Sequence, residues 1–372
     1  MTFRMMNDTE KTLFALLRAG LHTDGGSGWP DKKLAPPDWE TVFTLACRQG
    51  VAAVAWDGLQ RLSEGGEAAA PPVETLPRGL KLRWFGHTVQ VERTFRSQER
   101  IAVSLAEAFG REGISTVVLK GLAAARRYPV PAHRPCGDLD CFLMGDYERG
   151  NVVAERLGAT VRRDYYKNSH ILYKGLMVEN HRFCTAIRGS SRAKRLERRL
   201  QGILTKGPCL PIGNTPLLAP PPMFDALFLS VHAWTHLLMS GGIALRHLCD
   251  WAMWLHRHGD SADWERLLDI LAERDRGLRA FAGSMTRLAC ALLGVKGVGQ
   301  KELKREDRLL WRSMLYEYAA PEAGRTFLGH RLWLVDQYLR GAWKYRCYSE
   351  RSLPVFLLRM VGAYLVERTP RL

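Results

Sequence analysis

Acidic residues are scarce in this chain: 38 Asp and Glu stand against 54 Lys and Arg, a formal charge of +16 over 372 residues. That shortage favours polyanionic partners such as nucleotides, nucleic acid or an anionic membrane surface, and leaves the fold open. Cysteine pairing is also missing. The eight cysteines, at 47, 136, 141, 184, 209, 249, 290 and 347, form no Cys-x-x-Cys pair and no disulfide-type cluster, so a reducing cytoplasm is the expected home. No uncharged apolar run is long enough to span a bilayer, since even "SLPVFLLRMVGAYLV" is interrupted by Arg359. The N-terminal "MTFRMMNDTEKTLFALLRAG" mixes acids into its apolar positions and lacks the core of a signal peptide, so a soluble protein without a membrane span is expected. There is no fixed-period repeat, which argues against a solenoid. What is present, 46% hydrophobic and 25% charged residues, is the composition of a globular chain with a sizeable core.

Helical apolar spacing covers residues 9–19 and 38–62, and a Gly/Ala/Pro-rich stretch, "SEGGEAAAPPVETLP", reads as a surface loop. A long helical pattern from about Arg78 to Gly110 leads into "REGISTVVLKG", whose β-branched run marks a strand. Strand-like segments are read at 114–119, 138–144, 171–173 and 176–181, with helical patterns between some of them. The basic "AIRGSSRAKRLERRLQGILTKG" precedes a Pro-rich boundary, "PIGNTPLLAPPP", and beyond Met223 the periodicity is almost wholly helical. The expected organisation is a helical N-terminal module (1–110), an α/β core (111–215) and a helical C-terminal domain (216–372).

The chemistry-bearing residues cluster in the core. Alternate residues of a strand share a face, so Asp138 and Asp140 project together while Leu139 turns into the core. Two such carboxylates repel unless a cation lies between them, and oxygen-only ligation of this kind suits Mg²⁺ with substrate phosphates. A strand edge or turn with solvated acids is the alternative. Lys120-Gly121 ends the preceding strand, where a glycine lets the backbone approach a ligand and the next helix offers its first N–H groups to an anion. Taken alone, an ordinary strand-to-helix turn is the commoner explanation of it. Glu179, in "HILYKGLMVENHRF", supplies a third carboxylate with His181 on the same strand face, and Arg134 just before the aspartates can meet a phosphate or one of those acids. Each is weak singly, and His170 reads as a core or edge residue. The order, strand, Lys-Gly, helix, Asp-x-Asp strand and a later strand with one acid, is what two-metal phosphoryl transfer requires.

Together, "LKGLAAARRYP", "HRPCGDLDCFL", "SHILY", "VENHRF" and "GGIALRHLCDWAMWL" resemble the uncharacterised bacterial nucleotidyltransferase family of the polymerase-beta-like superfold, over about residues 110–260. The resemblance implies an α+β protein whose small mixed-sheet core is flanked by helices. It implies metal binding at Asp138 and Asp140, with Glu179 at the third carboxylate position, and Mg²⁺ or Mn²⁺ as cofactor. A nucleoside triphosphate is then the substrate, with Lys120, Gly121, Arg134, His181 and Arg246 as candidate nucleotide contacts. The acceptor, a small molecule, protein or RNA, stays open. The superfamily's usual Gly-Ser is Lys-Gly here, as this subgroup tends to have. The subgroup's frequent acid-Leu-His is Glu179-Asn180-His181. Arg246, His247 and Asp250 match the family's helical block and either line the nucleotide cleft or lock the helix to the core. His232 and His236, four apart on a helix, have zinc-compatible spacing, but no acid follows the first, so they are read as packed in a helix bundle. The run Arg188–Arg199, with Arg192, Lys194, Arg195, Arg198 and Arg199, reads as a solvated helix face before a phosphate or RNA contact. A non-catalytic nucleotide- or RNA-binding scaffold that keeps the fold is the rival to an enzyme.

Overall fold

The structure is a computed structural model, and it describes residues 6–23, 37–64, 75–239, 241–296, 302–317, 336 and 338–366. Helix α1 (Asp8–Leu21) begins at Asn7, whose side chain accepts from the Glu10 amide at 2.9 Å while the Glu10 carboxylate accepts from the Asn7 amide at 3.0 Å. This reciprocal cap satisfies two otherwise orphaned donors. Helices α2 (Trp39–Arg48) and α3 (Ala52–Glu64) follow. α1 and α3 approach so closely that a Cβ on Gly20 would stand 2.0 Å from the Val54 carbonyl oxygen, and one on Gly58 1.8 Å from that of Leu16. Only glycine permits that contact. Helix α4 (Arg78–Arg111) is the long element the apolar spacing predicts.

The α+β core holds a seven-stranded mixed sheet in the order β3-β4-β5-β2-β1-β7-β6. Its strands are β1 (Thr116–Val118), β2 (Leu139–Phe142), β3 (Thr160–Arg162), β4 (Asn168–Tyr173), β5 (Leu176–His181), β6 (Leu210–Pro211) and β7 (Leu217–Ala219). Three were not expected. β3 is three mostly exposed residues, and β6 and β7 form a hairpin inside the Pro-rich stretch, where β7 runs parallel to β1. Short strands of this kind carry too few alternations to be read from pattern alone. The segment read as a strand at 171–173 begins earlier, at Asn168.

Central β2 pairs antiparallel with β1 and parallel with β5. Both β1 and β2 are wholly buried, because each face of the sheet is covered. On one face Phe95, Leu105 and Phe109 of α4 pack against Val118, Leu139, Cys141 and Val178. On the other, Val117, Leu119 and Phe142 join the apolar cluster of α7 (Ser191–Lys206), α8 (Pro222–Met239) and α9 (Leu245–His258). Period-two alternation puts Asp140 on this second face, beside the helical half. Short α5 (Leu122–Ala125) and α6 (Tyr147–Arg156) complete the core, and α10 (Trp264–Arg274) and α11 (Arg276–Leu293) extend the helical layer. No helix among the described residues is long and apolar enough to cross a membrane.

Candidate active site

Parallel pairing of β2 with β5 sets Asp140 directly opposite Glu179 in register. Asp138 lies just before β2, and the three carboxylates share one end of the sheet around Lys120. Its Nζ stands 2.8 Å from Asp140 Oδ2 and 3.6 Å from Asp138 Oδ1. His181, two residues along β5 from Glu179, points the same way. Its Nε2 lies 3.0 Å from Asp140 Oδ1 and 3.3 Å from Glu179 Oε2, while Nδ1 lies 3.1 Å from the Phe183 carbonyl oxygen. Asn180 projects from the opposite face and donates to Asn151 and the Tyr147 carbonyl.

The electrostatics follow from this geometry. Burial disfavours the Asp140 carboxylate, but Lys120 and then His181 outweigh it and hold its pKa well below the usual range. Asp138 is pushed up, first by burial and then by the neighbouring Asp140 charge. The hydrogen bond with His181 holds Glu179 down. Burial would lower the Lys120 ammonium, yet Asp140 and Asp138 together raise it. Burial and Lys167 likewise oppose charge on His181, and its bonds to Asp140 and Glu179 prevail to raise it. Lys167 was not singled out from the sequence. It sits half-buried in the loop before β4, and its charge reaches Glu179, His181, His232 and His236.

Gly121 adopts φ +61° and ψ −111°, a conformation closed to residues with a side chain, while the nearest atoms to a hypothetical Cβ are 3.8 Å away. Its role is therefore conformational. The helix after it, α5, is a single turn of four residues, too short to supply the helix-end field that the sequence suggested. A cleft opens beside Lys120, Gly121 and Asp138 and is closed on the far side by α8, α9 and α11. Arg246 lines it and makes no ion pair among the described residues.

Arg134 lines the same cavity but is committed elsewhere. Its Nε and Nη2 contact the two oxygens of Asp250 at 3.1 and 2.7 Å, neither of the site aspartates, and Tyr128 donates to Asp250 at 2.8 Å. The cluster is buried and ties the segment before β2 to α9. Asp250 therefore locks the helix while bordering the cavity that Arg246 and His247 also line. His232, His236 and His247 gather between α8 and α9 with ring centroids 4.4 to 6.1 Å apart. His170 lies near the site's edge, 3.8 Å from Glu179. In the basic run, Arg192 pairs with Glu350 at 2.7 Å and Arg199 with Glu273 at 3.3 Å. Those two charges serve contacts within the chain.

Asp140, Glu179 and His181 present ligand atoms that all lie within 4.8 Å of one another. Asp140 Oδ2, although 2.8 Å from the Lys120 ammonium, is a buried oxygen without an aligned hydrogen bond. Two carboxylates and an imidazole fixed by a backbone carbonyl form a donor set suited to a small divalent cation, Mn²⁺ as readily as Mg²⁺. The residues fit such an ion. No curated protein and no solved structure matches the chain. The profile of the family described as uncharacterised nucleotidyltransferase does match, over residues 35–294, well over half the sequence. With its mixed sheet and clustered carboxylates, the chain belongs to that uncharacterised nucleotidyltransferase family.

Proposed function

We propose that the protein moves a nucleoside monophosphate from a nucleoside triphosphate to an acceptor bearing a nucleophilic oxygen. The carrying observation is the convergence of Asp138, Asp140 and Glu179 at one sheet end, with Lys120 among them and an open cavity beside them. Mg²⁺ or Mn²⁺ held by these carboxylates, with His181 behind them, would neutralise phosphate charge and favour in-line displacement. Lys120, the Gly121 turn and Arg246 then bind and orient the phosphates. Arg134 acts through Asp250, fixing the segment that carries Asp138. Glu179, about a quarter exposed, can take the acceptor's proton, as the almost wholly buried Asp140 cannot. The acceptor oxygen bonds to the α-phosphorus as the bond from phosphorus to the bridging oxygen breaks, and pyrophosphate departs with that electron pair.

The test is incubation of the protein with each α-phosphate-labelled nucleoside triphosphate, a divalent ion and a cell extract. Label should enter an acceptor with release of pyrophosphate, and Asp138→Asn and Glu179→Gln should abolish both. Absence of transfer and of metal-dependent nucleotide binding with all four triphosphates would overturn the reading. An RNA-binding role for the basic run has less support, because Arg192 and Arg199 are held by intramolecular acids.

A further inference from the structure

Beyond the carboxylates, the cavity runs into the helical half, where Leu229, Ala233, Trp251, Phe281 and Met285 form an apolar end. The Ser230 hydroxyl lies on that wall. Its residue is 4% exposed, and its oxygen has no hydrogen-bond partner. A serine inside a helix ordinarily bonds back to the preceding turn, as Thr235 does on the same helix by donating to the Val231 carbonyl at 2.8 Å. Natural interiors rarely leave such a group unmet, so an orphaned hydroxyl on a cavity wall calls for a partner inside the cavity.

Two imidazoles share the wall. His232 and His247 lie nearly parallel, with centroids 6.1 Å apart. His247 Nδ1 lies 3.2 to 3.3 Å from the Ala244 backbone, which leaves Nε2 as its uncommitted atom, and His232 makes no hydrogen bond among the described residues. Both rings are kept uncharged, first by burial and then by nearby cations, Lys120 for His232 and Arg246 for His247. A neutral imidazole both donates and accepts, which suits the edge of an uncharged ring better than a phosphate. Trp251 presents its indole beside them, fixed by a 3.0 Å bond from its N–H to Thr286.

One continuous cavity thus has Lys120 and Arg246, with Asp138 between strand and cleft, at one end and an apolar end carrying neutral hydrogen-bonding groups. We propose that the α8–α9–α11 end is the nucleobase subsite, where Ser230, His232 and His247 read the edge of a base packed against Trp251. The proposal rests on the nucleotide reading above and adds which residues select the base. An acceptor ring in the same place is the competing occupant.

Calorimetric titration of the full chain with Mn²⁺ plus inorganic tripolyphosphate, and with Mn²⁺ plus each of the four nucleoside triphosphates, separates the cases. One triphosphate should bind about tenfold tighter than the others and than tripolyphosphate, and Ser230→Ala should weaken it roughly 2- to 10-fold, the worth of one hydrogen bond. Ser230→Leu, which fills the apolar end, should abolish that preference and leave tripolyphosphate affinity unchanged. Should Ser230→Leu fail to fold, Ser230→Ala alone carries the comparison. Equal affinity for tripolyphosphate and all four nucleotides, untouched by Ser230→Ala, would overturn the subsite while the nucleotidyltransferase reading stands. Nucleotide binding unaffected by Ser230→Leu but with transfer lost would overturn it in favour of the acceptor. No metal-dependent binding of any phosphate compound would overturn both readings together.

Discussion

The ammonium of Lys120 stands 2.8 Å from Oδ2 of Asp140, so the most buried site carboxylate has a counter-charge supplied by the chain itself. His181 adds a hydrogen-bonding contact at 3.0 Å. The simple picture of two adjacent aspartates repelling each other is thus uneven: Asp140 is held ionised, and Asp138 is the strained partner whose pKa is pushed up.

The two aspartates should therefore respond differently to amidation. Asp140→Asn leaves the buried Lys120 ammonium without its partner and should cost about 3–5 kcal/mol. Asp138→Asn removes a carboxylate that burial and Asp140 already disfavour, and should change stability by no more than roughly 0.5 kcal/mol. Urea unfolding at neutral pH reads both. Equal losses, or a neutral Asp140→Asn, would contradict the assigned pairing.

A divalent ion with nucleotide should raise the melting temperature, because a ligand that binds only the folded state stabilises it, by about 2.7 kcal/mol at a hundredfold excess over Kd. Glu179→Gln should shrink this shift for Mn²⁺ plus nucleotide while leaving the ion-free melting temperature close to that of the parent. A shift of the same size in both proteins would remove Glu179 from the ion's ligands.

Lys120→Ala is a poor probe of phosphate binding, since the side chain is an ion-pair partner of Asp140 and its loss also destabilises the fold. Arg246→Ala is the cleaner change. Arg246 has no ion-pair partner among the described residues, so removing it should leave unfolding nearly unaltered. A charge-assisted contact to phosphate is worth roughly 1.5–3 kcal/mol, a loss of about ten- to hundredfold in nucleotide affinity. Asp250→Asn should do the reverse, lowering stability by about 3–5 kcal/mol through the stranded Arg134. If Arg246→Ala unfolds the chain and Asp250→Asn does not, the division between cleft and lock is wrong.

How much of this lay open in the sequence depends on range. Strand parity put Asp138 with Asp140 and Glu179 with His181, because those relationships are two residues long. That β2 and β5 run parallel and side by side, setting Asp140 opposite Glu179, is a tertiary fact no local pattern encodes. The same holds for Arg134, whose partner Asp250 lies 116 residues away. Lys167 gave no signal as a lone lysine in a polar loop, and Ser230 was hidden inside an apolar helix where its hydroxyl looks incidental. β6 and β7 were lost among prolines, which ordinarily argue against strands, although edge strand β6 tolerates Pro211.

The buried histidines set the behaviour in acid. His236 is lowered to about 4 and His247 to about 3, in both cases chiefly by burial. In the unfolded chain each titrates near 6.5. Between those values the unfolded state binds more protons, so stability rises with pH there. Their contribution is complete above pH 6.5 and is lost as pH falls toward 4 and then 3, at up to about 1.4 kcal/mol per pH unit for each ring. His133 runs the opposite way. Burial opposes its charge, but bonds to Asp57 and Glu92 raise it, so its contribution is complete below pH 6.5 and is lost as pH climbs through its raised value. Denaturant unfolding from pH 7 to pH 4 should show falling stability in the parent and a shallower fall in His236→Gln. A slope unchanged by that substitution would mean that His236 is not buried uncharged.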